Sequence, residues 1–172
     1  GVGIVEDFTE KKLTEEQIQY YASYDSLTGL PNRRLLLEYL NNEMARSRRH
    51  GHYGALLFID LDNFKTINDS LGHSVGDELL KVVAKRITEC IRREDTAARM
   101  GGDEFAILLA ETNEETAVEI VKRIKSNLHS LDDSNLKLSI GLATGEEGSN
   151  LVDVFRMADE RMYQNKRALI RD

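Results

Sequence analysis

Arg99-Met100-Gly101-Gly102-Asp103-Glu104-Phe105 lies between a short strand-like stretch, Asp95 to Met100, and an apolar run, Phe105 to Ala110. Two glycines and two acids thus make the turn of a hairpin. Glycines at such a turn tolerate positive φ and leave room for a backbone or a ligand, while adjacent carboxylates at a strand mouth repel each other unless a cation neutralises them. The stretch predicts a metal and phosphate site. It has a counterpart upstream, where Ala55-Leu56-Leu57-Phe58-Ile59 runs into Asp60-Leu61-Asp62, and two acid-tipped strands can share one metal centre.

Working outward, Ala55 to Ile59 is too short and too apolar for a surface helix and reads as a central strand covered on both faces. Leu36, Leu37, Leu40 and Met44 mark a helix over Arg33 to Arg49, entered from the turn-rich segment Asp25 to Asn32. A short helix is predicted over Phe64 to Leu71, then a long one through Leu79, Leu80, Val83, Ile87 and Ile91. The hairpin strands Thr96 to Met100 and Phe105 to Ala110 follow, then a helix through Val118, Ile120, Val121, Ile124 and Leu128. A strand over Leu136 to Ala143 and a helix over Leu151 to Lys166 close the chain. Helices alternating with strands, plus one hairpin, predict an α/β sandwich with a mixed sheet. Residues 2 to 8 resemble the end of a strand, and Glu10 to Ser23 is a polar, helix-compatible connector.

The 172 residues, 41% of them apolar and one of them proline, suffice for one packed domain plus a short extension. A net charge of -7 argues against a nucleic-acid scaffold, which needs a basic face. The single cysteine, Cys90, excludes an internal disulfide and a thiolate zinc cluster and suits a reducing cytoplasm. No apolar run approaches the roughly 20 residues of a membrane helix, so no membrane contact by this fragment is expected. The start at Gly1 suggests a piece excised from a longer protein, whose own membrane attachment is left open.

Asp60 and Asp62, two apart, share a face if the strand extends that far, and hard oxygen ligands of this kind suit magnesium. The alternative is that acids ending a strand are solvated caps. Asn63-Phe64-Lys65 opens a helix whose free amides can hold a phosphate, unless Asn63 is an ordinary cap and Lys65 a solvated charge. Asn68 and Asp77 have the chemistry to read a base. Gly72-His73-Ser74-Val75-Gly76 matches the serine-hydrolase pattern, but that motif needs a strand before it, and Phe64 to Leu71 reads as helix. Ser74 with Asp77 is instead expected to start a helix in the manner of a capping box, with His73 supporting the turn. Cys90, Met157 and Met162 read as packing residues, and Arg46 to His50 as a solvated helix terminus.

Taken together, Asp25-x-Leu27-Thr28-Gly29-Leu30-x-Asn32-Arg33, Phe58-Ile59-Asp60-Leu61-Asp62-x-Phe64-Lys65-x-Ile67-Asn68-Asp69-x-x-Gly72-His73-x-x-Gly76-Asp77 and Arg99-x-Gly101-Gly102-Asp103-Glu104-Phe105 resemble the GGDEF family of diguanylate cyclases. The resemblance runs from about Asp25 to Arg167, through Ser139-Ile140-Gly141 and Ala158-Asp159-x-x-Met162-Tyr163-x-x-Lys166. It implies a nucleotide-cyclase-like α/β fold with a five-stranded sheet flanked by helices, residues 25 to 172 forming the domain. Residues 1 to 24 look like the end of a PAS-like sensor domain and its helical signalling linker. The implied reaction condenses two GTP molecules to cyclic di-GMP with release of two pyrophosphates, on a homodimer that brings two half-sites face to face.

By the same resemblance Asp60, the Leu61 carbonyl, Asp103 and Glu104 would hold Mg2+ or Mn2+, with Asp103 or Glu104 as catalytic base. Asn68 and Asp77 would hold guanine. The amides of Asn63, Phe64 and Lys65 and the Lys166 side chain would hold terminal phosphates, with Gly101 and Gly102 shaping the substrate turn. Arg92 and Asp95 match the inhibitory product site, although an Arg and an Asp at this spacing also make an ordinary ion pair. The chain departs from the family after Lys166, where Arg167-Ala168-Leu169-Ile170-Arg171-Asp172 replaces the usual Gly-Arg-Asn and leaves Arg167 or Arg171 as substitutes for a phosphate-binding arginine. A rival expectation is a regulatory module that binds GTP or cyclic di-GMP without turnover, coupled to a downstream phosphodiesterase domain.

Overall fold

The computed structural model describes residues 14–50, 54–129, 131, 138–144 and 151–171. Residues 14–21 form a helix, α1, and the segment before it, including the strand-like residues 2 to 8, lies outside the described residues. Then come α2 (Arg33–His50), β1 (Ala55–Leu61), α3 (Phe64–Leu71), α4 (His73–Cys90), β2 (Thr96–Gly101), β3 (Glu104–Leu109), α5 (Glu114–His129), β4 (Leu138–Thr144) and α6 (Leu151–Arg171). No described helix is long and apolar enough to cross a membrane.

The four strands lie in the order β2-β3-β1-β4. Every pairing among these four strands is antiparallel, with Asp60 opposite Glu104 on β3 and opposite Ser139 on β4. This corrects the expectation of a mixed sheet, and no fifth strand is present among the described residues. The helical crossovers do join strands of like direction, β1 to β2 and β3 to β4. In each case another strand slots between the two, β3 into the first pair and β1 into the second. This is a split βαβ arrangement, in which parallel connections produce only antiparallel neighbours.

β1 is buried along its whole length, and alternation sends its side chains into two cores. Leu57, Ile59 and Leu61 pack with Leu80, Val83 and Ile87 of α4 and Ile120, Ile124 and Leu128 of α5. Leu56 and Phe58 pack with Leu36 and Leu40 of α2 and Val154, Ala158 and Met162 of α6. Full burial of each such side chain contributes about 1.5–3 kcal/mol. Cys90 and Met162 are core residues, and Met157 packs against the second core, as their spacing suggested.

Two local starts differ from expectation. α4 begins at His73, directly after Gly72 at φ +93, with no side-chain cap. Glycine makes that sharp reversal possible, so the capping box of Ser74 and Asp77 is not needed and does not form. His73 and Ser74 are exposed in the first turn of α4 and α3 precedes them, which removes the strand that a hydrolase elbow requires. β1 ends at Leu61, so Asp62 falls in the turn before α3 and does not continue the strand face of Asp60.

Candidate functional site

Asp60 follows Phe58 by two residues and therefore points to the α2 and α6 side of the sheet, where it is only 4% exposed. Its register partner Glu104 opens β3 immediately after the turn. Both acids line one cleft of about 500 Å³, whose other wall is α6 through Asp159, Glu160, Met162, Tyr163, Gln164 and Arg167. The helix can approach this closely because β4 carries Gly141. A Cβ there would stand 2.0 Å from the Ala158 carbonyl oxygen and 2.3 Å from the Met162 nitrogen.

The turn itself is held from three sides. Gly101 and Gly102 adopt φ of +152 and +48, with a register shift between Arg99 and Gly101, a geometry closed to most side chains. The Leu61 amide donates to the Asp103 carbonyl at 3.3 Å, tying the turn to the end of β1. Arg99 donates from Nε to the Gly102 carbonyl at 3.0 Å and from its terminal nitrogen to both oxygens of Asp25, at 3.1 and 3.2 Å. Burial opposes ionisation of Asp25, but hydrogen bonds from the Thr28 hydroxyl and amide and the charge of Arg99 outweigh it and hold its carboxyl below the usual range.

Of the residues expected to hold a metal, the structure brings Asp60 and Glu104 together. Asp103 stands in the turn and does not line the cleft, and the Leu61 side chain points into the opposite core, leaving only its backbone for a ligand role. Among the described residues no three acidic, histidine or cysteine side chains converge to hold a metal ion unaided. Two carboxylates from adjacent strand ends nevertheless fit magnesium, which takes one or two such ligands and completes its shell with substrate phosphates and water.

The expected base-reading pair lies on α3 and α4. The Asn68 side-chain oxygen is buried with no hydrogen-bond partner and rests against Gly76, where a Cβ would sit 1.7 Å from it. A buried acceptor left without a donor is costly, and a ligand with N–H groups would satisfy it. Asp77 follows Gly76 and is exposed. At the start of α3, Asn63 makes no side-chain cap, Phe64 is buried in the first core and Lys65 is exposed, so the phosphate reading of this segment rests on backbone amides. Lys166 falls on α6, but its side chain lies outside the described residues.

Arg92 and Asp95 form a closed network. Asp95 receives Arg92 Nε and the Arg92 amide on one oxygen and an Arg92 terminal nitrogen and the Ala110 amide on the other, at 2.9–3.0 Å, so its four acceptor positions are filled. The same Arg92 nitrogen reaches the Ala110 carbonyl at 2.7 Å and Thr112 Oγ1 at 2.6 Å. The Asp95 side chain is fully buried, whereas that of Arg92 is 42% exposed beside a pocket of about 350 Å³ that also involves Arg93, Tyr39 and Pro31. The sequence reading missed the cleft-lining role of Glu160 and Gln164. Their signal was helical, since 160, 163, 164 and 167 share one face of α6.

The chain is 36% identical over 166 residues to diguanylate cyclase DgcM of Escherichia coli (strain K12), covering 95% of this chain and 40% of that protein. It is 34% identical to cyclic di-GMP phosphodiesterase PdeR of the same strain, covering 93% of this chain and 25% of PdeR. It thus spans less than half the length of these curated relatives. Its fold is similar to the coiled-coil and GGDEF domain structure of DgcB from Caulobacter crescentus in complex with c-di-GMP, with a TM-score of 0.81 and 26% identity over 97% of this chain and 92% of that one. The family model for the diguanylate cyclase GGDEF domain matches residues 22–170, nearly the whole of the described fold, and the chain belongs to that family.

Proposed function

We propose that this domain is an active diguanylate cyclase that condenses two GTP molecules into cyclic di-GMP and two pyrophosphates. The observation that carries this reading is the pairing of Asp60 and Glu104 in register at adjacent strand ends, facing one cleft beneath α6. Bound Mg2+ or Mn2+ would offset charge on the triphosphate and lower the pKa of the attacking hydroxyl. Asp60, Glu104 and the Leu61 carbonyl are its proposed ligands, with Asp103 approaching from the turn.

In each of two equivalent steps the 3′-hydroxyl of one nucleotide attacks the α-phosphorus of the other. The bond to pyrophosphate breaks, and the hydroxyl proton passes to a carboxylate. Glu104 suits this role better than Asp103, because it lines the cleft. Asn68 and Asp77 hold guanine, whose N–H edge supplies the donors that the buried Asn68 oxygen needs. The amides of Asn63 to Lys65, and Lys166, take phosphate oxygens. Gly101 and Gly102 let the nucleotide approach the turn.

One cleft takes one GTP, and the product has two equivalent halves, so the active species is a twofold homodimer. Residues 1 to 24, as the end of a PAS-like sensor and its linker, would set how often the halves meet in a cytoplasmic domain. Cyclic di-GMP would act as brake by docking in the pocket beside Arg92, with Asp95 orienting that arginine. Product affinity unchanged in Arg92→Ala would refute this.

The similarity to PdeR favours a second reading, a module that binds GTP or cyclic di-GMP and regulates an attached phosphodiesterase without turnover. Incubation of concentrated protein with GTP and magnesium, followed by chromatographic resolution of nucleotides, separates the two. Cyclic di-GMP is expected; bound but unconverted GTP would establish the second reading instead.

A further inference from the structure

The pocket beside Arg92 has walls of two origins. Ile91, Arg92 and Asp95 come from the turn after α4, whereas Leu30 and Pro31 come from the turn before α2 and Tyr39 from α2 itself. That second wall also holds the end of α1. The Asp25 amide donates to the Leu30 carbonyl at 2.7 Å, Tyr24 bridges Pro31, and the Asn32 amide donates to the Ser23 carbonyl at 2.9 Å. The Ala22 carbonyl, just beyond the last residue of α1, accepts Asn32 Nδ2 at 3.0 Å and Arg34 Nε at 2.8 Å.

Side chains make a second link between the same two places. Burial pushes the Tyr39 phenol pKa up, and so does the Tyr24 hydroxyl with which Tyr39 shares a hydrogen bond. The Tyr24 ring stacks on Tyr20 of α1, with centroids 4.8 Å apart and planes 17° from parallel. Tyr39, Tyr24 and Tyr20 thus run in series from the pocket to α1, and only Tyr39 lines the pocket.

We infer that filling the pocket beside Arg92 and seating α1 are one coupled event: a planar base resting on Tyr39 and Pro31 steadies the turn from Leu30 to Asn32, and that turn and the tyrosine series fix the end of α1. This rests on the assignment of cyclic di-GMP to the pocket. Coupling of this kind is reciprocal, so a linker that seats α1 tightens the pocket by the same factor by which the ligand steadies α1. The brake is thereby reported to the linker within a single chain.

The test joins amide hydrogen exchange over residues 14–24, where the Ala22 and Tyr24 amides bond back to Ile18 and Tyr20, with calorimetric titration of cyclic di-GMP. Parent, Tyr20→Leu, Tyr39→Phe and Arg92→Ala are compared. Tyr20 is half exposed, so its replacement leaves the core untouched. Saturating cyclic di-GMP is expected to slow exchange in this segment about 5-fold in the parent, and Tyr20→Leu is expected to bind it about 5-fold more weakly although that side chain lies outside the pocket. Tyr39→Phe keeps a ring for the base but loses the bond to Tyr24, so it should bind cyclic di-GMP with part of the slowing lost. Binding to the parent without any change in exchange over residues 14–24 overturns the inference, and so does undiminished affinity in Tyr20→Leu. Slowing that persists in Arg92→Ala places the ligand elsewhere and overturns both the pocket assignment and the inference. A parent that binds no cyclic di-GMP does the same, and the titration separates that failure from a failure of coupling.

Discussion

The hairpin of β2 and β3 carries charged residues at both ends, and the two ends behave differently. At the end near Ala110, Asp95 is sealed from solvent and each of its acceptor positions is met by a donor of the protein. At the other end, about 20 Å away along six-residue strands, Asp60 and Glu104 face a cleft whose far wall is a helix bearing Arg167. At the first end an arginine and a carboxylate close into a joint between elements. The second sets Asp60, Glu104 and Arg167 around a space that a ligand can fill. Satisfied charge holds the hairpin in place, and charge arranged around a cleft is available for chemistry.

This contrast can be broken from either end. Removing the proposed proton acceptor should produce the largest effect: Glu104→Gln is expected to lower cyclic di-GMP formation between about 10²- and 10⁴-fold while leaving the urea unfolding midpoint close to the parent's. Activity within a factor of two of the parent would show that the open end is not the reaction site. Asp95→Ala should do the reverse. It strands Arg92 and the Ala110 amide and is expected to cost about 2–3 kcal/mol by urea unfolding, below the range for a wholly buried pair because Arg92 is half-exposed. An unchanged midpoint would mean that the closed network holds nothing together.

The smallest effect concerns Asp25, whose ion pair with Arg99 lies beside the open end. Its carboxyl titrates below its unfolded value, so its contribution is present above about pH 4 and is lost as pH falls through the lower, folded value. Asp25→Asn should therefore remove about 1 kcal/mol at neutral pH and almost nothing at pH 2, read as the difference between two denaturation curves. An equal loss at both pH values would assign the effect to packing and not to charge.

The two ends were also unequally legible in the sequence. β1, the glycine turn and α3 were readable because an apolar run, paired glycines and a short periodic segment are local signals. The family resemblance fixed the cyclase-like fold, but alternation along a strand does not say which strand lies beside it, and the insertion of β3 between β1 and β2 turned an expected mixed sheet into an antiparallel one. The network around Asp95 was hidden for a similar reason. Its partners Ala110 and Thr112 lie 15 to 20 positions from Asp95 and Arg92, and only the folded hairpin brings them there. The α6 wall of the cleft depends on Gly141, whose significance as a point of close backbone approach is invisible until the helix is seated on it.

One consequence follows from the segment that leads into α2. Among the described residues β2 is one of the two edge strands of the sheet, and its free side would offer unpaired amides and carbonyls to any other strand. Asn32 forms a parallel bridge with Arg99 there, and the Arg99 amide donates to the Pro31 carbonyl at 3.0 Å. Proline accepts that bond and has no N–H with which to invite a further strand. The Leu30-Pro31-Asn32 turn thus covers this edge and works as a stopper against edge-to-edge pairing there.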